Sequence, residues 1–304
     1  MSNEVMGLEP IVQMPTVIER SVSHHKGFLS IIKEIPQKPY FRDESDNFVL
    51  YHDDCLKVLS GIPSNSIDLI FADPPYFLSN GGITCHAGKM VSVNKGTWDI
   101  SNGVEKNHEF NKAWLRECQR ILTYNGTILV SGTAHIIHSI GHAMQQLGFK
   151  LLNDIVWFKI NPPPNLSCRY FTHSTETIIW AAKSYKSRHI FNYKDMKAVS
   201  GKQMKSTWQD LFWAITPPKR EEKTHGKHPT QKPLQLLERI ISAASGKGDI
   251  VLDPFNGHGT TGIAAFRLNR KYIGIELEKS YLEATKKRLH DEISFKSFVE
   301  DKGR

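Results

Sequence analysis

The chain has 304 residues, enough to bury a substantial core in one large α/β domain with insertions. Its 39 Lys and Arg against 31 Asp and Glu leave a formal charge of +8, which suits a polyanionic partner such as a nucleic acid without requiring one. The four cysteines, Cys55, Cys85, Cys118 and Cys168, lie too far apart for a zinc or redox pair, and no apolar run approaches the ~20 residues of a membrane span. The N-terminus also lacks the order of a signal peptide, so a reduced, soluble, cytoplasmic protein with no membrane partner is expected.

Residues 1–46 are mixed and polar and read as an accessory segment without its own core. A domain over 47–293 follows, with a tail at 294–304. Phe48–His52 reads as a strand and Asp54–Leu59 as a helix, and Ile67–Phe71 is an apolar strand that ends in Asp73-Pro74-Pro75-Tyr76. The Gly-, Asn- and Lys-rich stretch 77–98 has no period and reads as a mobile loop. A helix from His108 to Leu122, a strand Thr127–Ser131 and a helix from Ala134 to about Gly148 come next. Two strands, Leu151–Phe158 and Thr177–Ala182, flank the proline-rich loop 161–165. Residues 183–226 mix Lys, Arg and aromatics without a period, as an inserted recognition region does. Then a helix after Pro233, a strand Asp249–Asp253, a helix from Thr260, a strand Lys271–Glu276 and a helix to about Glu292 complete an alternating α/β pattern.

Gly257, Gly259 and Gly262 satisfy G-x-G-x-x-G between a strand and a helix, where missing side chains let backbone approach a ligand. Glu276 ends the next strand a little over 20 residues after Asp253, where a carboxylate can accept hydrogen bonds from ribose hydroxyls. Together they indicate an adenosine-containing cofactor, and the glycines alone leave NAD, S-adenosylmethionine and an ordinary strand-to-helix turn open.

Asp73-Pro74-Pro75-Tyr76 leaves a buried strand at the carboxyl edge of the sheet, where open α/β folds bind ligands. The two prolines stiffen the corner, so the Pro74 carbonyl can stand beside the Asp73 carboxylate as a second fixed acceptor. Two such acceptors match the two hydrogens of an aromatic amine and would aim its lone pair at a methyl donor, while Tyr76 offers a face for an extruded base. Four residues in isolation could equally be a stiff loop with a buried tyrosine.

With both motifs in place the chain resembles the amino-group DNA methyltransferases, which combine D-P-P-Y with F-x-G-x-G. The order here, Asp73–Tyr76 first and Phe255–Gly259 last, is similar to the circularly permuted β arrangement, over nearly everything from residue 48 to 290. Residues 71–83, 165–177 and 226–233 resemble the second adenine-N6 methyltransferase of GATC-specific restriction systems. The resemblance implies a Rossmann-like S-adenosylmethionine-dependent fold with a mixed seven-stranded sheet. It also implies methylation of adenine in GATC, on single- and double-stranded DNA, and a functionally paired restriction endonuclease, with a homodimer left open. Carried over by position, Asp253, Phe255, Gly257, Gly259 and Thr260 would surround the methionine part of the cofactor. Glu276 would meet its ribose, Asp54 its adenine, and His228, Thr230 and Lys232 its carboxylate, with Cys55 and Asp73 also among the cofactor-binding positions.

Lys89, Lys95 and Arg169 are candidates for DNA, Arg169 for a phosphate or a guanine, and the stretch Lys183–Arg188 is either a phosphate contact or a solvated face. His258 stands between the two glycines in place of a small residue and is expected to face solvent. No metal site is expected from the scattered histidines. Cytosine-N4 methylation, RNA adenine methylation and a catalytically silent DNA-binding regulator remain the competing readings.

Overall fold

A continuous apolar run such as Ile250-Val251-Leu252 is stable only when covered on both faces, and the fold meets that demand with helices on both sides of one sheet. The computed structural model describes residues 27–79, 83–86, 89–92, 99–162, 164–208, 218, 222, 224–225 and 231–302. In chain order the first half holds α1 (Phe28–Glu34), β1 (Phe41–Arg42), β2 (Phe48–His52), α2 (Cys55–Gly61), β3 (Ile67–Ala72), β4 (Ile83–His86), β5 (Lys89–Ser92), α3 (Val104–Ile121), β6 (Leu122–Gly132) and α4 (Ile137–Leu147). There follow β7 (Lys150–Phe158), β8 (Thr175–Ala182), α5 (Tyr193–Ser200), β9 (Thr207–Trp208), α6 (Leu234–Ala244), β10 (Ile250–Asp253), α7 (Thr260–Arg267), β11 (Lys271–Glu276) and α8 (Lys279–Lys302).

The sheet order is β1-β2-β11-β10-β3-β6-β8-β7-β9. From β2 to β6 the pairing is parallel, and β8 runs antiparallel to both β6 and β7. The seven expected strands are all present, and two-residue strands at either edge, β1 and β9, raise the count to nine. Alternation along β2 divides the core. Val49 and Tyr51 pack with α2, α3 and α4, while Phe48 and Leu50 pack with α6, α7 and α8. Helix α3 fits its face because Asn111, Trp114, Leu115, Cys118 and Ile121 recur at helical spacing, all buried.

Four departures from the sequence reading have physical causes. Helix α1 drives Phe28, Ile31, Ile32 and Ile35 into the main core and β1 extends the sheet, so residues 28–42 are structurally part of the domain. One amphipathic turn pair is too short to show a period. The aperiodic stretch after Tyr76 contains an antiparallel hairpin, β4–β5, with Ile83 opposite Ser92. The region after Ala182 begins as sheet-supported structure: α5 is tied to α6 by Asn192 Nδ2, which donates to the Ser242 and Ser245 carbonyls, and β9 pairs with β7. Lys183 is held inside by the Leu122 carbonyl at 2.5 Å and the Arg120 carbonyl at 3.2 Å, so it is committed to the fold rather than to phosphate.

Replacing Ile31 by Ala should remove about 2–5 kcal/mol of stability, since its side chain is fully buried against the sheet. Urea unfolding checks this, and a loss below about 1 kcal/mol would mean that α1 is an appendage.

Candidate active site

Because β2, β11, β10, β3 and β6 are parallel, the residues after each strand gather at one edge. That edge holds a cavity of about 260 Å³ lined by Asp54, Cys55, Asp73, Pro74, Pro75, Tyr76, Phe110, Lys232, Asp253, Phe255, Gly257, Thr260 and Glu276, among others. Motifs almost 180 residues apart in sequence, Asp73–Tyr76 and Asp253–Gly257, thus share one wall.

Asp73 is the most heavily bonded of these groups. Its Oδ1 accepts from the Ser131 hydroxyl at 2.6 Å and the Tyr76 hydroxyl at 2.7 Å, and its Oδ2 from Lys232 Nζ at 2.7 Å. Burial alone would push the carboxyl up, but the lysine charge and these three donors bring it below the ordinary aspartate value. Lys232 is itself buried. It also reaches the Tyr76 hydroxyl at 3.1 Å and Glu176 Oε2 at 3.5 Å, and Lys159 Nζ donates to Glu176 Oε1 at 2.6 Å. Two lysines and two carboxylates therefore balance. The Tyr76 ring is only 6% exposed and its hydroxyl is tied to Asp73, so the tyrosine lines the cavity as a fixed wall.

A single side chain sets the shape of the Asp73 corner. Asp99, fully buried, accepts from the backbone N–H of Tyr76 at 2.9 Å, Phe77 at 2.7 Å and Leu78 at 3.2 Å, and from the Ser79 hydroxyl at 2.8 Å. Phe77 sits at φ +56°, a left-handed conformation that a bulky residue adopts only when held. Sequence reasoning missed Asp99, Ser131 and Glu176. Asp99 is the first acidic residue after Asp73, and Ser131 is the polar end of an apolar strand, but neither position has a recognisable motif around it.

On the other wall, Glu276 accepts from the Gly257 N–H at 2.7 Å and the Glu278 N–H at 2.9 Å; burial raises its carboxyl and these bonds oppose the rise. Asp253 accepts from Thr261 Oγ1 at 2.6 Å and the Phe255 N–H at 3.0 Å, and burial lifts it to about 7. Gly259 stands at φ +71° where a Cβ would lie 2.3 Å from Thr285 Cγ2, so it permits the turn from behind rather than lining the cavity. The Phe255 ring packs edge-on against Trp114 at 5.3 Å. Asp54 Oδ1 caps α2 through the Leu56 N–H at 2.9 Å, and burial pushes the neighbouring Cys55 thiol up to about 12.

Other expected positions divide. His258 is buried, not solvent-facing: it packs edge-on against Tyr281 at 5.1 Å, and burial with the nearby Arg288 lowers it to about 4. Lys232 lines the cavity and pairs with Asp73. His228, Thr230 and Lys95 lie outside the described residues, as do the side-chain surroundings of Lys89 in β5, and Arg169 is exposed on the β7–β8 loop. Among the described residues no group of three or more His, Cys, Asp or Glu is placed to hold a metal, and no helix is long and apolar enough to cross a membrane.

The chain is similar to known DNA methyltransferases. A family model described as DNA methylase matches residues 67–287. The chain is 55% identical to the Type II methyltransferase M2.LlaDCHI of Lactococcus lactis subsp. cremoris, over 83% of this chain and 92% of that protein. It is 54% identical to the Type II methyltransferase M2.DpnII of Streptococcus pneumoniae, over 84% of this chain and 93% of that protein. Among solved structures, the M1.HpyAVI–SAM complex is similar with a TM-score of 0.57 and 30% identity, covering 80% of this chain and 98% of that one.

Replacing Lys232 by Met should raise the Asp73 carboxyl, because the charge that lowers it is gone. The stabilisation from a lowered Asp73 is present above the unfolded aspartate value and is lost as pH falls through the folded one, so the variant should also lose its stability advantage near neutrality. Carbon NMR titration of the Asp73 carboxyl, with Lys232→Arg as the charge-keeping control, reads the effect; an unmoved midpoint in Lys232→Met would sink the assignment.

Proposed function

The chain belongs to the DNA methylase family of amino-group methyltransferases, a DNA methyltransferase that uses S-adenosylmethionine, and on that premise we propose that it methylates the N6 amino group of adenine in GATC, on duplex and single-stranded DNA, as the modification partner of a restriction endonuclease. The observation that carries the reading is Asp73, paired with the buried Lys232 at 2.7 Å, in the same cavity as Asp253 and Glu276.

The residues present fit the cofactor. A cation-seeking carboxyl at Asp253, a second carboxyl fixed by backbone at Glu276 and a side-chain-free approach at Gly257 are what a sulfonium nucleoside with a ribose diol needs. The cofactor supplies an electrophilic methyl on a positively charged sulfur. For the chain's own residues, Asp73 Oδ2 and the Pro74 carbonyl accept the two amine hydrogens and hold the nitrogen lone pair out of the ring. The nitrogen would gain positive charge as its bond to the methyl carbon forms and the carbon–sulfur bond breaks with its electron pair left on sulfur, so the Asp73 carboxylate would stabilise the transition state more than the ground state. Its surplus proton then has Asp73 as the nearest base. The cavity lies at a sheet edge that a stacked base cannot reach, which supports extrusion of the adenine, cheaper from a single strand. The Asp at position 73, where cytosine-N4 enzymes usually carry Ser, favours adenine.

Transfer of labelled methyl to matched GATC and GTAC oligonucleotides, followed by nucleoside analysis, should give N6-methyladenine in GATC alone. Asp73→Ala should abolish transfer and leave cofactor affinity within about threefold, since the cofactor's partners lie on the other strands; equal loss of both would refute the role given to Asp73.

A raised Asp253 must lose its proton to pair with a cation, so cofactor affinity should fall as pH drops below about 7, approaching tenfold per pH unit. In the cofactor-free protein the same group stabilises the fold at low pH and loses that contribution as pH rises through about 7. Calorimetry in buffers of different ionisation enthalpy should show proton release on binding near neutrality. Asp253→Asn should abolish the release, and a wild-type protein that releases none would contradict the coupling.

A further inference from the structure

The loop between β7 and β8 rises from the wall of the catalytic cluster. Its stems are joined by the Lys159 N–H, which donates to the Ser174 carbonyl at 2.7 Å, and by Lys159 Nζ on Glu176 Oε1 at 2.6 Å. Glu176 in turn faces Lys232, the partner of Asp73. The loop thus starts two side chains away from the reacting carboxylate.

Its upper part is ordered by its own polar groups. Asn165 Oδ1 accepts from the Ser167 N–H at 3.1 Å and hydroxyl at 2.7 Å, Asn165 Nδ2 donates to the Tyr170 carbonyl at 2.6 Å, and Cys168 takes φ +53°. The turn presents an apolar face to solvent: Phe171 is 97% exposed, Tyr170 61% and Leu166 45%. Single exposed apolar residues are ordinary, but three within six positions on a hydrogen-bonded turn are not. Between Lys159 and Ser174 the loop carries Arg169 and His173 and no acidic residue. The Tyr170 ring lies 5.4 Å from His173, which lies 6.4 Å from His135, and His135 is four residues beyond the catalytic-cluster Ser131.

We propose that Phe171 is the wedge that enters a DNA duplex where the target adenine leaves it, with Arg169 on the adjoining phosphate and the Tyr170–His173 face against a flanking base. This rests on the reading of the chain as a methyltransferase that acts on an extruded base. A flat apolar ring replaces the stacking lost by the vacated base pair, and a cationic, acid-free surround suits a phosphate backbone. A nearly fully exposed side chain contributes little to the fold, so the Phe171 ring is available to a partner.

The test compares the full-length wild type, Phe171→Ala and Phe171→Trp on three DNAs: a GATC duplex, the same strand alone, and a duplex with an abasic site opposite the target adenine. A wedge is needed only where a base pair must be opened, so in Phe171→Ala the ratio of kcat/KM on the duplex to that on the single strand should fall about tenfold or more. The abasic duplex should restore most of the loss, and Phe171→Trp should keep the wild-type ratio. An unchanged ratio, or equal loss on all three DNAs, overturns the wedge, as does a change confined to sedimentation behaviour, which would mark the patch as a contact between copies of the chain. Wild-type protein that makes no N6-methyladenine on any of them refutes the methyl-transfer reading and the wedge with it, whereas wild-type activity with an unaltered Phe171→Ala ratio refutes the wedge alone.

Discussion

Parallel pairing of β2, β11, β10, β3 and β6 sends the residue after every strand to one edge, and four of those five ends carry carboxylates: Asp53 and Asp54, Glu276, Asp253 and Asp73. Like charges crowded into a partly buried cavity repel, and each is settled by different means. Asp54 rests on the N-terminus of α2. Glu276 draws on two backbone N–H groups, Asp253 keeps its proton to about 7, and Asp73 takes a buried lysine. The fold creates the convergence, and these four solutions turn it into a site with distinct halves.

The halves differ in what they attract. Around Asp253 and Glu276 no described lysine or arginine is paired with either carboxyl, so that side gains by receiving a cation. Around Asp73 the charge is already balanced within the protein by Lys232, Glu176 and Lys159, so that side suits a neutral partner that offers N–H donors. On the proposed reading, this difference in charge would favour a cationic methyl donor on the first side and a neutral aromatic amine on the second. Lys232 has Glu176 as a second carboxylate at 3.5 Å, so its ammonium is compensated from two sides.

The sheet was legible because its central strands are long apolar runs bounded by turn residues, and β10, β11 and β3 lie within a residue of where the pattern puts them. The cavity's motif residues were legible because glycine and proline leave marks in sequence that reflect backbone demands. What escaped were groups whose roles arise from pairing across the chain. Glu176 reaches the carboxyl edge only because β8 runs antiparallel, which brings its first residues there. The pairing of Lys232 with Asp73, 159 residues away, leaves no mark in the local sequence. His258 looked like a surface residue because its neighbours are glycines, yet α8 covers it, a contact no local pattern encodes. The edge elements α1, β1 and β9 fell below the length at which periodicity can be seen.

Asp99 shows how far such a distant pairing can reach. A left-handed Phe77 carries conformational strain on the order of 1–3 kcal/mol, and three backbone N–H groups pointing to one side need an anion when buried. The Asp99 carboxylate meets both requirements, with charge-assisted hydrogen bonds strong enough to exceed the strain. The Ser79 N–H also donates to the Asp99 carbonyl at 3.1 Å, so Asp99 holds the end of the corner through its backbone as well as its side chain. The shape of the Asp73 corner is therefore set by one buried carboxylate that lies 26 residues further along the chain.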